Sequence, residues 1–389
     1  MKDELKICLL MPKMFPRIGG FENVVYDLSR GLSCHHKVQV VFTSISSDRP
    51  LPQEVEVYPV LKEIKIRYIG FLLSLLYNSI FFFFYAWQER PDMVNVHPVF
   101  PGVMITWCSC KLLKIPLVAT SHGGDIQFSP QKDYGTRSSP LANWILKKTL
   151  PLVDRHVLIS KAMYPFARSA GSRDSRIEII PNGVDPDSVS LDSERRRRLE
   201  NELNIKRDDF VVLYLGRLID LKRPQDLLYG FHQAKLDNAK LVFAGSGDKE
   251  IELKKMVHDL SLEDKVSFTG FITPETGKWD LINLSQVLVV PSLSEGFNLT
   301  VLEAYASSKP VIGTRIGALE ELINPGKTGL LVDTCSPDGI KEALTYMYQH
   351  PEKREKMGLV GQELFLAKYT RDKMVQKYQK LYLSLINKK

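Results

Sequence analysis

Two carboxylates, Glu295 and Glu303, stand in the stretch "PSLSEGFNLTVLEAYASSKPV". The first falls in a loop that follows the apolar run "VLVVPS"; the second falls inside a helix that opens near Asn298 or Leu299. A carboxylate accepts two hydroxyl hydrogen bonds, which suits the vicinal diol of a sugar. Between the two acids the helix start offers the N–H groups of Leu299 and Thr300, with a positive dipole end behind them, and these suit phosphate oxygens. An acid, a phosphate spot and a second acid describe a hexose, a diphosphate and a ribose in a row. A plainer chemistry fits the same spacing. Thr300-x-x-Glu303 is a capping box, and Glu295 an ordinary loop acid.

Other residues favour the first reading. "YLGRLIDLKRP" ends a strand at Gly216, then supplies Arg217 and Lys222 just before a helix opened by Pro224. Two cations there would neutralise a diphosphate as it departs. "FAGSG" sets Gly245 in a strand-to-helix turn, and "MPKMFPRIGGF" sets Gly19 and Gly20 between a first strand and its helix. Both allow backbone to approach a phosphate or sugar, and neither is specific alone. "ATSHGGDI" exposes His122 at a strand's end before two glycines. Asp185 and Asp187 form the D-x-D of the chain, a pattern that can hold a divalent ion, but they sit in a turn-rich stretch and read as turn chemistry.

The elements that must position these groups follow from periodicity. "KICLLMP", "KVQVVFTS", "DMVNVH", "PLVATSH" and "RHVLIS" read as strands separated by helical stretches. After the turn-rich "PNGVDPDS" the pattern restarts with "FVVLYLGR", "AKLVFAGSG", "KVSFTG", "QVLVVPS", "KPVIG" and "TGLLVD". Such alternation predicts an α/β chain of two doubly wound, parallel-sheet, Rossmann-like domains, 1–182 and 187–365, facing across a cleft. Residues 366–389 read as one amphipathic helix, able to cross back to the first domain. The length of 389 residues suits two such domains. Five cysteines without C-x-x-C spacing argue against a disulfide framework or structural zinc and for a reducing compartment. The net charge of +7 favours anionic partners, although the run "ERRRRLENE", with acids interleaved among its arginines, reads as a solvated helix face. No aromatic residues punctuate that run, so nucleic acid is not expected as a partner.

Residues 68–88, "YIGFLLSLLYNSIFFFFYAWQ", carry no charge and match the roughly 20 residues a bilayer-spanning helix needs. Three readings stand: a buried core helix, a core helix offering one face to a membrane surface, and a span. Strands on both sides of the segment belong to one sheet by pattern, which opposes the span.

Taken together, "PSLSEGFNLTVLEAYASSKPVIGT", "LGRLIDLK", "AGSG", "TGFIT", "IPNGVD" and the opening P-x-x-GG arrangement resemble the retaining glycosyltransferases of family 4, which have the GT-B fold. The likeness covers nearly the whole chain. It implies that Glu295, helped by Gly296, Phe297 and Asn298, contacts the donor sugar. Leu299 and Thr300 would meet the diphosphate, Glu303 the ribose diol, and Arg217 and Lys222 the departing charge. Gly216 and Gly245 would line the donor site, Phe271 and Ile272 would flank the nucleobase, and Gly19 and Gly20 would lie near phosphates and acceptor. His122 would steady positive charge at the anomeric carbon. Asn298 stands where glycine is frequent, and Ser308 where "GKP" is usual. The implied activity is metal-independent transfer of a sugar, with retained configuration, from a nucleotide sugar (uridine rather than guanosine) to a lipid-linked or glycan acceptor. No cofactor is expected, and the expected place is the cytoplasm, peripheral on the inner face of a membrane. A sugar-nucleotide epimerase of similar fold and a catalytically silent sugar-nucleotide binder remain the alternatives.

Overall fold

The computed structural model describes residues 4–11, 20–42, 55–59, 70–128, 134–189, 191–273 and 277–387. The chain divides into two compact units, Met1–Gly183 together with Arg371–Lys389, and Val184–Thr370.

In the first unit β1 (Lys6–Met11), α1 (Gly20–Ser33), β2 (Lys37–Phe42), β3 (Val55–Pro59), α2 (Gly70–Glu89), β4 (Met93–Val96) and α3 (Val99–Leu113) come first. Then follow β5 (Leu117–Ser121), α4 (Pro140–Thr149), β6 (Arg155–Leu158), α5 (Tyr164–Ser169) and β7 (Ile177–Ile179). Local chemistry sets the helix ends. In α4, for example, the Ser139 hydroxyl caps Ala142 N–H, Pro140 opens the first turn and Lys147 and Lys148 face the negative dipole end. All described strands pair in parallel in the order β3-β2-β1-β4-β5-β6-β7. The central strands β1, β4 and β5 are buried along nearly their whole length, as a sheet covered on both faces requires.

The second unit contains α6 (Ser193–Glu202), β8 (Phe210–Leu215), α7 (Pro224–Ala234), β9 (Ala239–Ala244), α8 (Glu250–Asp259), β10 (Val266–Gly270) and α9 (Lys278–Leu284). It continues with β11 (Val287–Val290), α10 (Leu299–Ala306), β12 (Val311–Thr314), α11 (Gly317–Leu322), β13 (Gly329–Val332), α12 (Pro337–Gln349) and α13 (Pro351–Lys368). Its parallel sheet has the order β10-β9-β8-β11-β12-β13. Strand alternation splits its core: Val211 and Leu213 join Trp279, Leu302, Tyr305 and Phe365 on one face, while Val212 and Tyr214 join Leu227, Phe231, Leu253 and Leu344 on the other. In each unit the strand order reverses beside the first strand, at β1/β4 and at β8/β11. Such a reversal opens a crevice at the strands' carboxyl ends.

The last helix, α14 (Arg371–Ile386), belongs to the first unit. Its Met374, Val375, Tyr378 and Tyr382 are buried, and the Tyr382 hydroxyl accepts from Asn95 Nδ2 at 2.8 Å. Gly31 of α1 makes the approach of Val375 feasible, since a Cβ there would stand 2.4 Å from its Cγ2.

Three expectations need adjustment. β3 and β7, short edge strands with polar residues alternating, were absent from the periodic reading. Residues 366–370 belong with α13 and its unit rather than with the last helix, and the first crossing falls at Gly183/Val184. Finally, α2 is not a wholly buried core helix. Gly70, Asn78, Phe82, Tyr85 and Ala86 are buried, whereas Leu72, Leu76, Ile80, Phe84 and Trp87 are each more than half exposed. Residues 68 and 69 lie outside the described residues.

Candidate active site

In the second unit the loops after β8 and β11 flank the crevice at the sheet's reversal. They are tied together, because Leu293 N–H donates to Leu221 O at 2.9 Å. Lys222 closes a turn after β8, and its Nζ lies 2.7 Å from Glu295 Oε1. The same oxygen accepts from Ser292 Oγ at 2.7 Å and from Asn298 Nδ2 at 2.9 Å. Glu295 is thus a buried carboxyl group with a lysine and two neutral donors around it, the environment that makes such burial tolerable. Gly296 is buried beside it, and Phe297 packs towards the Tyr369 ring.

Asn298 does two jobs. Its Nδ2 holds Glu295, and its Oδ1 accepts Val301 N–H at 3.1 Å, which caps α10. The asparagine in place of glycine therefore fixes the loop to the helix. Leu299 and Thr300, the first two residues of α10, keep N–H groups that the cap does not use. This geometry overturns the capping-box alternative. The cap is Asn298, Thr300 Oγ1 turns back to it, and Glu303 Oε1 instead takes Lys278 Nζ at 2.9 Å. Lys278 Nζ also sits 4.5 Å above the Trp279 ring. Lys278 was missed by sequence reasoning; as the first residue of a helix it carried no motif.

Arg217 lies exposed just past β8, with its carbonyl held by the Tyr214 hydroxyl at 2.6 Å, and it forms no ion pair among the described residues. Gly216 and Gly245 shape the loop that carries it. At Gly245, with φ +146°, a Cβ would stand 1.9 Å from Gly216 O, so glycine is required by backbone packing whatever the loop binds. Beyond β10, Phe271 is 56% exposed and presents its ring, whereas the Ile272 side chain is spent on the core. Asp185 and Asp187 form a turn in which Asp185 Oδ1 accepts Asp187 N–H at 3.1 Å.

In the first unit Gly20 opens α1 and is exposed; Gly19 lies outside the described residues. His122 follows β5, and its ring lies 5.5 Å from that of Phe21 on α1. Asp125 braces the turn. Its Oδ1 accepts the N–H groups of His122 and Gly123 at 3.0 Å, and its Oδ2 accepts that of Val99 at 3.3 Å. Burial raises this carboxyl to about 6. His122 Nε2 lies 2.9 Å from Nδ1 of His97, at the end of β4. Loss of water around the rings lowers both histidines, His122 to about 3, so the pair is neutral at pH 7. One ring then donates and the other accepts. The outer nitrogens, His97 Nε2 and His122 Nδ1, are buried without a hydrogen-bond partner among the described residues. A neutral His122 ring presents a dipole, not a cation. His97 was also missed: "DMVNVH" showed a strand, and pairing across neighbouring strands leaves no trace in spacing.

Two family models together match most of the chain. Residues 18–188 match the model "Glycosyltransferase Family 4", and residues 195–363 match "Glycosyl transferases group 1". The chain is 24% identical over 304 residues to N-acetyl-alpha-D-glucosaminyl L-malate synthase of Bacillus anthracis, covering 77% of each chain. It is 35% identical over 195 residues to a D-inositol 3-phosphate glycosyltransferase of Pseudarthrobacter chlorophenolicus, covering 48% of this chain and 46% of that one. Crystal structures of HepE from Anabaena in complex with UDP and with UDP-glucose share its fold. Their TM-scores are 0.80 and 0.79 at 19% and 18% identity, with 98% and 97% of this chain and 100% of theirs covered. Two Rossmann-like units with acids and cations gathered where the second sheet reverses, each matched by its family model, make this chain a glycosyltransferase of family 4 with the GT-B fold.

Proposed function

We propose that the enzyme moves a hexosyl group from a nucleoside diphosphate sugar, with uridine favoured over guanosine, to a lipid-linked or glycan acceptor at the cytoplasmic face of a membrane. Transfer proceeds with retained configuration and without a metal ion. The observation that carries this reading is the Lys222–Glu295 pair beside the open N–H groups of α10, with Glu303 and Lys278 one helix turn or more beyond. Glu295 is assigned to the sugar hydroxyls, the α10 N–H groups with Arg217 and Lys222 to the diphosphate, Glu303 to the ribose and Phe271 to the base. The UDP and UDP-glucose held by Anabaena HepE support uridine.

In the reaction the acceptor's hydroxyl oxygen bonds to the anomeric carbon as the bond from that carbon to the phosphate oxygen breaks. The electron pair leaves with the diphosphate, and the hydroxyl proton passes to the departing oxygen. Arg217, Lys222 and the α10 dipole absorb the growing negative charge. Glu295 Oε1 already takes three hydrogen bonds, which blunts it as a nucleophile and favours attack from the face of the leaving group. His122, with Gly19 and Gly20, is assigned to the acceptor and the anomeric carbon.

A thermal-shift series with UDP, UDP-sugars and GDP-sugars tests the donor, since a ligand of the folded state raises the melting temperature by mass action. The wild type is expected to rise more with one UDP-sugar than with UDP, and Glu295→Ala to rise equally with both. Retained discrimination in Glu295→Ala, or a response to guanosine donors alone, contradicts the assignment.

A further inference from the structure

The first unit carries a surface that sugar transfer leaves unexplained. Along α2 the buried residues Asn78, Phe82, Tyr85 and Ala86 form one stripe. Leu72, Leu76, Ile80, Phe84 and Trp87 form another on the opposite side, 51–63% exposed. A continuous exposed apolar stripe of this length marks an interaction surface. The Phe71 and Phe100 rings stack with centroids 5.9 Å apart where α2 meets α3. Between the two helices lies a hollow of about 350 Å³ walled by Leu72, Leu75, Leu76, Val103, Met104 and Trp107. On α4, Leu141 and Trp144 are also exposed, at 64% and 59%.

Charge around this surface is mainly positive. Helices α2, α3 and α4 hold a single acid, Glu89, and Lys6 neutralises it at 2.6 Å. Their cations are Lys111, Lys147 and Lys148, with Lys114 following α3. Trp107 walls a second hollow as well, of about 610 Å³, lined also by Lys111, Lys114, Arg155, Arg173 and Arg176, of which Arg155 is paired with Glu178 at 3.6 Å. Its one carboxylate, Asp154, is engaged by Leu117 N–H at 2.8 Å. Arg176 is fixed in place by the carbonyls of Pro151 and Val153, at 3.0 and 2.6 Å. An apolar hollow and a cationic one thus share a wall. That is the order of groups met on crossing from the acyl chains of a bilayer to its phosphates. A second copy of this chain would bring like charges together here, so charge complementarity selects an anionic lipid surface. Spanning is excluded by topology, because β3 before α2 and β4 after it belong to the same sheet.

We propose that this face docks the enzyme on an anionic phospholipid bilayer, with the outer stripe of α2 entering the acyl boundary and the Lys111–Arg176 hollow receiving lipid phosphate. The inference supplies the partner for the membrane clause of the function proposed above, and its test is independent of the donor. The full-length protein, without nucleotide sugar, is floated with vesicles of phosphatidylcholine alone or mixed with phosphatidylglycerol. Binding is expected only to the mixed vesicles and should weaken as salt rises. Lys111→Glu/Lys114→Glu is expected to bind about thirtyfold more weakly, at roughly a few-fold to tenfold per basic residue near such a surface. Leu76→Ser/Ile80→Ser/Phe84→Ser should lose binding while keeping the wild-type circular dichroism and UDP-sugar thermal shift, which shows that the fold and the donor site are intact. No binding by the wild type at low salt overturns the proposal. So does undiminished binding of the charge-reversed variant, or a dimer in sedimentation that the serine variant dissociates while vesicles are ignored. A missing UDP-sugar shift alongside intact vesicle binding would count against the donor reading alone.

Discussion

Single residues decide how the two crevices are tuned. His97 never needs to touch a substrate to matter, because it fixes the ring of His122 through one 2.9 Å hydrogen bond. His97→Phe fills the space without the bond and frees the ring to turn. A displacement of that order is worth about tenfold to a hundredfold in kcat. The expected result is such a loss with the donor's KM little changed, partial rescue by His97→Asn, and a changed tautomer of His122 in 15N NMR spectra. A purely structural role for His97 would move stability and leave the tautomer alone. At this scale the sequence was readable where a group follows a strand at the crevice end, as Glu295, Arg217 and His122 do. It was silent on Lys278 and His97, whose importance comes from a partner distant in sequence. It was also ambiguous at Thr300 and Glu303, where a local hydrogen bond and a tertiary ion pair share one spacing.

At the level of elements, the second sheet was legible strand by strand because each strand is a short apolar run closed by a turn. The first sheet lost its edges. "VEVYP" and "IEI" alternate with polar residues and are too short to stand above the background of loops. Ser308 shows how a local departure acts on an element. It ends the turn after α10 at φ +55°, a left-handed conformation in which glycine is unstrained, so the usual "GKP" has a backbone reason. Ser308→Gly is expected to stabilise the second unit by about 1 kcal/mol, raising its melting temperature by roughly 2–4 °C in calorimetry. No change, or a fall, would mean that the serine side chain contributes more than its backbone strain costs.

For the whole molecule the two units answer acid differently. His97, His122 and His156 of the first unit are all lowered by burial, His122 and His156 to about 3, against an ordinary 6.5. The unfolded chain therefore binds protons below pH 6.5 that the folded unit refuses, and stability falls as pH drops. The slope is about 1.4 kcal/mol per pH unit for each histidine. Asp125, raised from 3.8 to about 6, acts in the opposite sense between those values and offsets one of the three. In the second unit His232, His258 and His350 are not fully buried. Calorimetry between pH 7 and about 4.5 should show the first unit's transition moving down and separating from the second's; parallel movement of both would contradict this account. The path of the backbone adds a further consequence. It leaves the first unit at Gly183, completes the second by Thr370 and only then supplies α14, whose Tyr378 and Tyr382 fill the core beside Asn95 and Thr120. On the ribosome, the second unit is thus the first to emerge as a finished body, while the first waits, its interior unfilled, until those two tyrosines have been made.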